Sequence, residues 1–391
     1  MIKVGVWGTG SMGIIALRHV IDHPELELVG VVVHSDSKAG RDAGALCGTG
    51  VVGVAASQDP ATLIDSDADV VVYAAGANTR ALEAIADMTS ILSAGKNVVS
   101  CSLVPLVYPT AVEPALTDPL REAALKGGVS FLTTGIDTGF ANDALPLTLS
   151  GLSRVIESVR VTEMFNYATY PDRDAVYEIL GFGKPPEVTP FAATPGIFTF
   201  GWGPVAYQLA AGMGVHIDEL TESVERLAAD TSFDTPTGHI EAGTIAAMRS
   251  TLTGYVDGKP TIVVDHVTRM HDAIAPHWPQ PQITLEPKDQ GFGGASGQGV
   301  YRVEIEGSPS IRCELELAED HDHDLGARMA GASWMVNAIP AVVAAEPGLL
   351  SALDLPVITG AGLVRTVPGP APDSRHLPEA SSSSAPPPPT R

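Results

Sequence analysis

The sequence predicts two folded parts, an α/β domain followed by an α+β domain. Three observations support this prediction. Strand-like and helix-like segments alternate over residues 1–145, as in a parallel sheet with helical crossovers. Residues 146–324 contain long segments rich in β-branched residues and joined by short turns, which favours an antiparallel sheet. With 391 residues, the chain is also longer than one ordinary core organises.

The first strand and helix enclose a glycine-rich turn. Residues 2–7 are apolar apart from Lys3, residues 14–21 carry apolar side chains at helical spacing, and a second strand follows at 26–33. The spacing of the three glycines suits a sharp turn, a close approach of the backbone to a pyrophosphate, and tight packing of helix on strand. The alternative is an ordinary strand–helix turn. We predict a Rossmann domain whose dinucleotide contacts begin with Gly8, Thr9, Gly10, Ser11, Met12 and Gly13.

The end of the second strand bears on which dinucleotide binds. NAD sites usually carry an acidic residue there, which accepts hydrogen bonds from the ribose. This chain carries His34 and Ser35 at that point, followed by Lys38 and Arg41. A hydroxyl and two cations suit a 2′-phosphate, so we predict NADP as the cofactor. Asp36 keeps NAD open, and a solvated loop is the other alternative.

The third strand of the first domain ends in small residues. The strand at residues 69–73 runs into Ala75 and Gly76, which leaves space beside a cofactor, and we predict that both residues contact it. The domain is completed by a helix and two strands, at residues 114–125, 98–101 and 129–133.

The second domain, residues 146–324, is predicted from its strands and turns. Asp257 and Gly258 join two strands as a hairpin, and the last strand alternates apolar and charged residues. The glycine-rich segment 288–299 is predicted to be a mobile loop and a candidate lid. The predicted strands are 155–165, 244–254, 261–270, 300–305 and 311–317, with helices around 172–180 and 204–213.

Residues 325–365 are predicted to return to the first domain. A helix over residues 325–345 is apolar nearly all round, so it must be buried on several sides, and Pro340 is expected to kink it. Asn337 lies just before this kink, and a buried amide needs partners. The partner is either the nicotinamide carboxamide or the backbone carbonyls that the kink frees. Residues 366–391 are rich in proline and serine and are predicted to be disordered.

The composition narrows the choice of partners. A net charge of −23 argues against nucleic acid and anionic membranes. The sequence contains neither a stretch long enough to span a membrane nor the features of a secretory signal, so we expect a cytoplasmic protein. Its three cysteines lack metal-like spacing. We predict no metal site and interpret the Asp and His run at residues 320–324 as a solvated turn.

One loop is a candidate catalytic site. Residues 135–140 directly follow a predicted strand, so they lie at the carboxyl end of the sheet, where open α/β folds bind ligands. Two glycines bracket Asp137 and Thr138 in this loop. We predict that the pair lies beside the nicotinamide and a small-molecule substrate. The alternative is a turn that only connects the domains.

Three motifs give the chain a resemblance to a known family: the turn at 8–13, the loop at 135–146, and the run Val-Asn-Ala-Ile-Pro at 336–340 with Pro347 and Gly348. Over about residues 1–365 the chain resembles the NAD(P)H-dependent amine dehydrogenase family. This family is related to 2,4-diaminopentanoate dehydrogenase and shares its N-terminal domain with dihydrodipicolinate reductase. The resemblance implies a homodimer and hydride transfer to an imine formed from a carbonyl compound and ammonia.

Two departures from the family pattern bear on the chemistry. The family loop reads Gly-x-Asn-Pro-Gly-Phe, and here Asp137 and Thr138 take the places of Asn and Pro. Family members also carry a glutamate that binds and activates ammonia in the stretch matching residues 102–105, which has no carboxylate here. Asp137 is then the candidate base. The predicted catalytic residues are Asp137, Thr138 and Ser102.

Several alternatives stay open at the sequence level. The substrate is expected to be small and mostly apolar, and reduction of a ketone, a preformed imine or an activated alkene would need no ammonia. A cofactor-binding sensor without turnover is a further alternative. Dihydrodipicolinate reductase activity is disfavoured, because the His-His and Lys signature of that enzyme is missing. Further candidate proton donors that the sequence does not place are Tyr108, Glu163, Tyr170 and His277.

Overall fold

The computed structural model of the chain describes residues 1–77, 80–288 and 291–365. Its strands, in chain order, are β1 (Ile2–Trp7), β2 (Leu26–Val32), β3 (Ala56–Ser57), β4 (Val70–Tyr73), β5 (Asn97–Ser100), β6 (Ser130–Thr133), β7 (Val155–Asn166), β8 (Glu219–Ala228), β9 (Phe233–Thr235), β10 (Gly238–Ile240), β11 (Ile245–Val256), β12 (Lys259–Arg269), β13 (Gly299–Ser308), β14 (Ile311–Glu316) and β15 (Gly348–Leu350). Its helices are α1 (Ser11–Asp22), α2 (Ala43–Cys47), α3 (Ala61–Ile64), α4 (Ala81–Ser93), α5 (Pro114–Gly127), α6 (Ala144–Ser150), α7 (Ile197–Met213), α8 (His323–Asn337) and α9 (Ile339–Ala344).

A seven-stranded parallel sheet forms the first domain. Its strands lie in the order β3-β2-β1-β4-β5-β6-β15. The first six follow the order typical of dinucleotide-binding sheets, in which the chain changes direction beside β1 and opens a crevice at the carboxyl ends of the strands. The predicted Rossmann fold is confirmed, and the crevice is where a site is expected.

Helices cover both faces of this sheet, which is why β4, β5 and β6 are buried along their whole length. One core lies between the sheet and helices α1, α8 and α9, and includes Leu17, Val72 and Met335. The other lies under α4 and α5 and includes Ile91 and Phe131. The parallel sheet is therefore held rigidly from both sides.

A six-stranded sheet forms the second domain, in the order β14-β13-β7-β12-β11-β8. Neighbouring strands are antiparallel except for β7 and β12, which are parallel. Helix α7 packs against one face through Phe198, Val205 and Leu209. The predicted α+β domain is confirmed, and the parallel pair is an addition that the strand patterns did not reveal. Helix α6 connects the two sheets, so the predicted boundary at residue 145 falls within it.

Three predicted elements differ from the structure. The single helix predicted over 325–345 is divided at Ala338 into two helices, close to the kink expected at Pro340. Pro340 lies in the first turn of α9, where its missing N–H costs no hydrogen bond. Helix α7 begins at Ile197, before the predicted start, with Pro204 inside it. The helix predicted around 172–180 is a π-helical turn at Asp174–Ile179.

Strand β8 is missing from the prediction, because charged side chains hide the apolar alternation of this edge strand. The predicted disordered tail, 366–391, lies outside the described residues, as do two residues of the candidate lid, Asp289 and Gln290. Within the described part of the chain, no helix is both long and apolar enough to cross a membrane.

Candidate active site

Two glycines shape the turn between β1 and α1. Gly8 has a φ of +96°, and a Cβ atom on it would lie 2.6 Å from the backbone nitrogen of Ala75. A Cβ atom on Gly13 would lie 2.1 Å from the carbonyl oxygen of Gly8. A Cβ atom on Gly10 would meet nothing within 4 Å. The fold therefore requires Gly8 and Gly13, whereas Gly10 lies on the open side of the turn, which fits the approach of a pyrophosphate.

Helix α1 begins directly after this turn and has no side-chain cap. The first-turn N–H groups, which include those of Ser11 and Met12, have no partner within a helix and carry partial positive charge. Lys38 Nζ donates a hydrogen bond to the carbonyl oxygen of Thr9 at 2.6 Å. Burial lowers the pKa of Lys38, and the nearby charge of Arg41 adds to this effect. The turn thus suits an anionic diphosphate.

The loop after β2 directs its acidic residue away from the glycine turn. Asp36 Oδ1 accepts a hydrogen bond from Gln58 Nε2 at 2.8 Å. The same amide donates to the carbonyl oxygen of His34 at 2.9 Å. The His34 side chain is exposed and Ser35 is half-buried. Asp36 is therefore engaged by a neutral side chain, unlike the acid that serves the ribose of NAD.

Ser102 connects the ends of β4 and β5. Its hydroxyl donates to the carbonyl oxygen of Ala75 at 2.6 Å, and its backbone nitrogen donates to Ser100 Oγ at 2.9 Å. The next residue after Ala75, Gly76, has open space where a Cβ atom would stand. The Ser102 proton is thus committed to the backbone, and the predicted catalytic role of this residue stays a prediction.

Asp137 lies in the loop after β6, and only 4% of its side chain is exposed. Its Oδ1 accepts hydrogen bonds from Asn142 Nδ2 and, at 3.2 Å, from Trp202 Nε1. Its Oδ2 lies 3.1 Å from His266 Nε2, although the two do not align as a hydrogen bond, and Nε2 has no hydrogen-bond partner among the described residues. Thr138 is buried beside Asp137.

Two residues of the second sheet complete the site. Glu163 on β7 lies opposite His266 on β12 in the parallel pair. Tyr167 donates its hydroxyl proton to Glu163 Oε1 at 3.0 Å. The donor and acceptor atoms of Asp137, Glu163 and His266 lie within 4.8 Å of one another, and we call these three residues the acid–histidine cluster. A divalent cation also accepts such a ligand set, so the predicted lack of a metal site stays a prediction.

Aromatic rings surround the acid–histidine cluster. The His266 ring lies 4.7 Å from that of Trp202 and 5.0 Å from that of Phe198, and both contacts are edge-on. The Tyr167 ring stacks on Tyr170 at 4.8 Å. These rings keep water from the charged groups and strengthen the electrostatic interactions among them.

The surroundings shift all three pKa values in the cluster. Burial and the charge of Asp137 raise the pKa of Glu163 to about 8. Burial alone would lower the pKa of His266, but the charges of Asp137 and Glu163 raise it to about 9. Burial alone would raise the pKa of Asp137, and the His266 charge holds it below its usual value. At neutral pH the cluster therefore contains an ionised Asp137, a protonated His266 and a proton on Glu163.

Sequence reasoning missed His266 and named Glu163 without placing it. A signal was present, because Glu163 continues the buried face of Val159 and Val161, and His266 continues that of Ile262 and Val264. An ionisable residue in such an apolar series marks a candidate site.

The remaining candidate donors lie elsewhere or in a supporting position. His277 lies beside Trp278 in the loop after β12, and Tyr108 packs near helix α7. Tyr170 stacks on Tyr167, whose hydroxyl donates to Glu163.

The helices returning from the second domain reach the site from a third direction. Trp334 on α8 donates from Nε1 to the carbonyl oxygen of Gly139 at 3.0 Å, and its ring lies 4.5 Å from that of Phe140. At the end of α8, Asn337 Oδ1 is buried and has no hydrogen-bond partner among the described residues. A buried acceptor without a partner suits an incoming donor such as a carboxamide.

Comparisons with known proteins agree with this architecture. The 2,4-diaminopentanoate dehydrogenase C-terminal domain family matches residues 140–366, and the dihydrodipicolinate reductase N-terminus family matches residues 2–102. An amine dehydrogenase of Streptomyces virginiae is 39% identical over 91% of this chain and 97% of its own. A 2,4-diaminopentanoate dehydrogenase of Acetoanaerobium sticklandii is 28% identical over 91% of this chain and 94% of its own.

A solved structure shares the fold. The amine dehydrogenase of Mycobacterium smegmatis superposes with a TM-score of 0.73 at 22% identity, over 92% of this chain and 97% of that one. Together with the sequence matches, the fold confirms the resemblance carried by the glycine turn and the run at residues 336–340. The protein is an NAD(P)-dependent oxidoreductase that acts on amines. The chain belongs to the amine dehydrogenase family that includes 2,4-diaminopentanoate dehydrogenase.

Proposed function

We propose that this enzyme is an NADP-preferring dehydrogenase that interconverts a small, mostly apolar primary amine with its carbonyl compound and ammonia. The proposal rests chiefly on the acid–histidine cluster. The cluster includes Asp137 of the loop after β6. This loop lies at the carboxyl ends of the parallel strands, where proteins of this fold class bind their ligands. Buried ionisable groups with shifted pKa values are typical of catalytic sites.

The residues at the crevice fit a nicotinamide dinucleotide. The open side of Gly10 and the uncapped start of α1 suit the diphosphate. Oδ1 of Asn337, which has no hydrogen-bond partner within the described ranges, suits a carboxamide N–H. Lys38 and Arg41 favour a 2′-phosphate, and Asp36 is already engaged by Gln58. When bound, the nicotinamide supplies a hydride for amination or accepts one for amine oxidation.

Asp137 is the proposed proton-handling residue of the first domain. Hydrogen bonds from Asn142 and Trp202 fix its Oδ1, so Oδ2 is the oxygen that exchanges a proton. The other proposed catalytic residues are Thr138, which is buried beside Asp137, and Ser102, which connects the ends of β4 and β5.

The charges near the cluster favour a substrate without a carboxylate. Arg328 on α8 carries a positive charge that acts on Tyr170, one of the aromatic residues beside the cluster. It forms an ion pair with Asp324 at 2.8 Å. A substrate carboxylate would have to break this buried pair, which costs several kcal/mol. An apolar amine would instead contact the surrounding aromatic rings.

Turnover with defined substrates tests the proposal. Purified enzyme, NADPH and a panel of small ketones and aldehydes are incubated with and without ammonium chloride, and sodium chloride matches the ionic strength. We expect NADPH oxidation that requires ammonium and forms the primary amine. Oxidation at the same rate without ammonium would instead favour a ketone or alkene reductase, and tight NADPH binding without turnover would favour a sensor. The homodimer that the family resemblance implies is also proposed, and light scattering tests it.

A further inference from the structure

We propose that the acid–histidine cluster is the ammonium-binding site of this enzyme, with Glu163 of the second domain as the residue that accepts the ammonium proton. This inference rests on the proposed amine dehydrogenase function. It assigns a catalytic role to a residue of the second sheet, because residues 102–105 at the end of β5 carry no carboxylate.

The spacing of the cluster fits an ammonium ion. An ammonium nitrogen donates in tetrahedral directions over about 2.9 Å, so its acceptors stand about 4.7 Å apart. The polar atoms of Asp137, Glu163 and His266 all lie within 4.8 Å of one another. His266 Nε2 lies 3.1 Å from Asp137 Oδ2 and carries a proton at neutral pH, so the acceptors of the cluster are the oxygens of Asp137 and Glu163, which lie close enough for one ammonium ion to donate to both.

Each carboxylate is already fixed through one of its oxygens. Tyr167 holds Oε1 of Glu163, while Trp202 and Asn142 hold Oδ1 of Asp137. The second oxygen of Asp137 lies beside His266 Nε2, which has no aligned partner among the described residues. These donors therefore orient the two carboxylates. They leave the second oxygen of each, which faces the other residues of the cluster, to interact with a cation.

The charge of the site supports the same assignment. Asp137 and Glu163 would repel each other if both were ionised, and Glu163 therefore holds a proton at neutral pH; an ammonium ion that takes the place of this proton removes the same repulsion. Aromatic rings at 4.7 Å and 5.0 Å from His266 keep the surroundings apolar, so the electrostatic gain from an ammonium ion is larger than in water.

The proposed step conserves atoms and charge. Ammonium gives one proton to Glu163, and the resulting ammonia forms a bond from nitrogen to the carbonyl carbon. The former carbonyl oxygen receives protons from His266 and Glu163 and leaves as water, while the nitrogen loses a proton to neutral His266. In the net reaction, a carbonyl compound and ammonium give an iminium ion and water. No oxidant or reductant takes part in this step.

The same geometry predicts selection against alkylated nitrogen. Methylammonium keeps three N–H groups but carries a methyl group in place of the fourth. Because the reacting carbonyl carbon takes up one side of the nitrogen, this methyl group would have to lie among the carboxylates and the rings of Trp202 and Phe198 that enclose the site. Overlap in such a packed site is expected to lower kcat/KM by about 10- to 100-fold. We therefore expect ammonia to be strongly preferred over methylamine with the same carbonyl compound.

The test separates ammonium use from carbonyl use in Glu163→Gln. We expect its KM for ammonium to rise at least about 10-fold more than its KM for the carbonyl compound, while the Kd for NADPH stays unchanged. Glu157→Gln alters an exposed glutamate of the same strand and serves as the matched control, with wild-type constants expected. Tyr167→Phe keeps the carboxylate and removes its donor, so we expect a smaller rise, about 2- to 5-fold.

Binding gives a second readout that does not depend on turnover. With NADP⁺ present, ammonium chloride should raise the Tm of the wild-type protein more than methylammonium chloride does, and this difference should vanish in Glu163→Gln. Equal effects of Glu163→Gln on both KM values, or equal use of methylamine and ammonia, would overturn the ammonium site while leaving the dehydrogenase function intact. An enzyme without any ammonium-dependent turnover would overturn the function, and this site with it.

Discussion

Glu163 and His266 are titratable neighbours in a buried site, and the charge of each acts on the pKa of the other. Burial and Asp137 raise the pKa of Glu163 to about 8, while the two carboxylates raise that of His266 to about 9 despite its burial. A carboxyl group accepts a proton only when it is ionised. An imidazole donates one only when it is protonated. The two groups are therefore in their useful forms together over a narrow, mildly alkaline range.

The pH profile of amination follows from these shifts. We expect kcat/KM for the carbonyl compound at saturating ammonium to rise as pH approaches about 8, because Glu163 ionises, and to fall above about 9, because His266 loses its proton. Steady-state rates from about pH 6 to about pH 10, in buffers of constant ionic strength, test this pH profile. A Glu163→Gln profile that keeps the acidic limb would contradict the assignment.

Lys38 tests the choice of nucleotide. Lys38→Ala removes a cation beside the glycine turn and its hydrogen bond to Thr9. We expect at least about 10-fold weaker binding of NADPH, with a change below about 3-fold for NADH, because a charge-assisted contact to a phosphate contributes about 1.5–3 kcal/mol. Calorimetric titration of both cofactors measures this.

A surface lysine provides the control for that substitution. Lys184 is paired with Glu178 in the second domain, and Lys184→Ala should bind both cofactors as the wild type does. Equal loss of NADPH and NADH affinity in Lys38→Ala would mean that the residue only supports the turn and does not select the 2′-phosphate.

Sequence reasoning reached some site residues and not others for a physical reason. Asp137 follows a strand directly, so its place at the sheet edge depends on local order alone. Glu163 and His266 are more than a hundred residues apart along the chain and become neighbours only through the parallel pairing of β7 and β12. A histidine on an apolar strand face was visible, but its carboxylate partners were not.

At the level of elements, two glycines of one turn are expected to have different roles: Gly13 is needed for folding and Gly10 for binding the cofactor. A Cβ atom on Gly13 would overlap the carbonyl oxygen of Gly8, whereas one on Gly10 meets nothing within 4 Å. Gly13→Ala should therefore lower the free energy of unfolding by about 1–3 kcal/mol, since the backbone of α1 must shift away from β1. Urea unfolding followed by circular dichroism measures this loss.

Gly10→Ala is the matched variant in the same turn. We expect its free energy of unfolding to change by less than about 1 kcal/mol, while NADPH binding weakens at least 10-fold, about 1.4 kcal/mol, because the methyl group fills the open side of the turn. Unchanged cofactor binding in Gly10→Ala would show that the pyrophosphate does not approach there.

Helices and strands were predictable where a local pattern decides them. Apolar runs gave the parallel strands, and Asp257 with Gly258 gave the hairpin of β11 and β12. Edge strand β8 was not predictable, because it pairs with a strand distant in sequence. Pro340 marked a disturbance in the last helical region, but the pattern did not distinguish a kink from a new helix.

At the scale of the whole molecule, the site is assembled from three parts of the chain. The loop after β6 supplies Asp137, the second sheet supplies Glu163 and His266, and α8 reaches the same loop through Trp334. Neither sheet contains the complete cluster. The proposed catalysis therefore requires the correct arrangement of the domains, to which α8 contributes by packing against both α1 and the loop after β6.

Trp334 tests this connection between the domains. Trp334→Phe keeps an aromatic ring and removes the hydrogen bond to Gly139, so we expect a loss of about 1 kcal/mol in unfolding free energy and a lower kcat. Trp278→Phe removes an indole N–H that has no partner in the described part of the chain, and should retain the wild-type kcat. Denaturant unfolding and steady-state rates compare the two. Equal kcat values in both variants would contradict a role for this link.

Isotope transfer joins the cofactor, ammonia and substrate in one measurement. The enzyme is given NADPH with deuterium at the reactive carbon of the nicotinamide, ¹⁵N-labelled ammonium and the best carbonyl substrate, and the product is analysed by mass spectrometry. We expect a primary amine with one deuterium on the carbon that bears nitrogen, and with the ¹⁵N label. An alcohol carrying the deuterium, or a product without ¹⁵N, would contradict amine formation at this site.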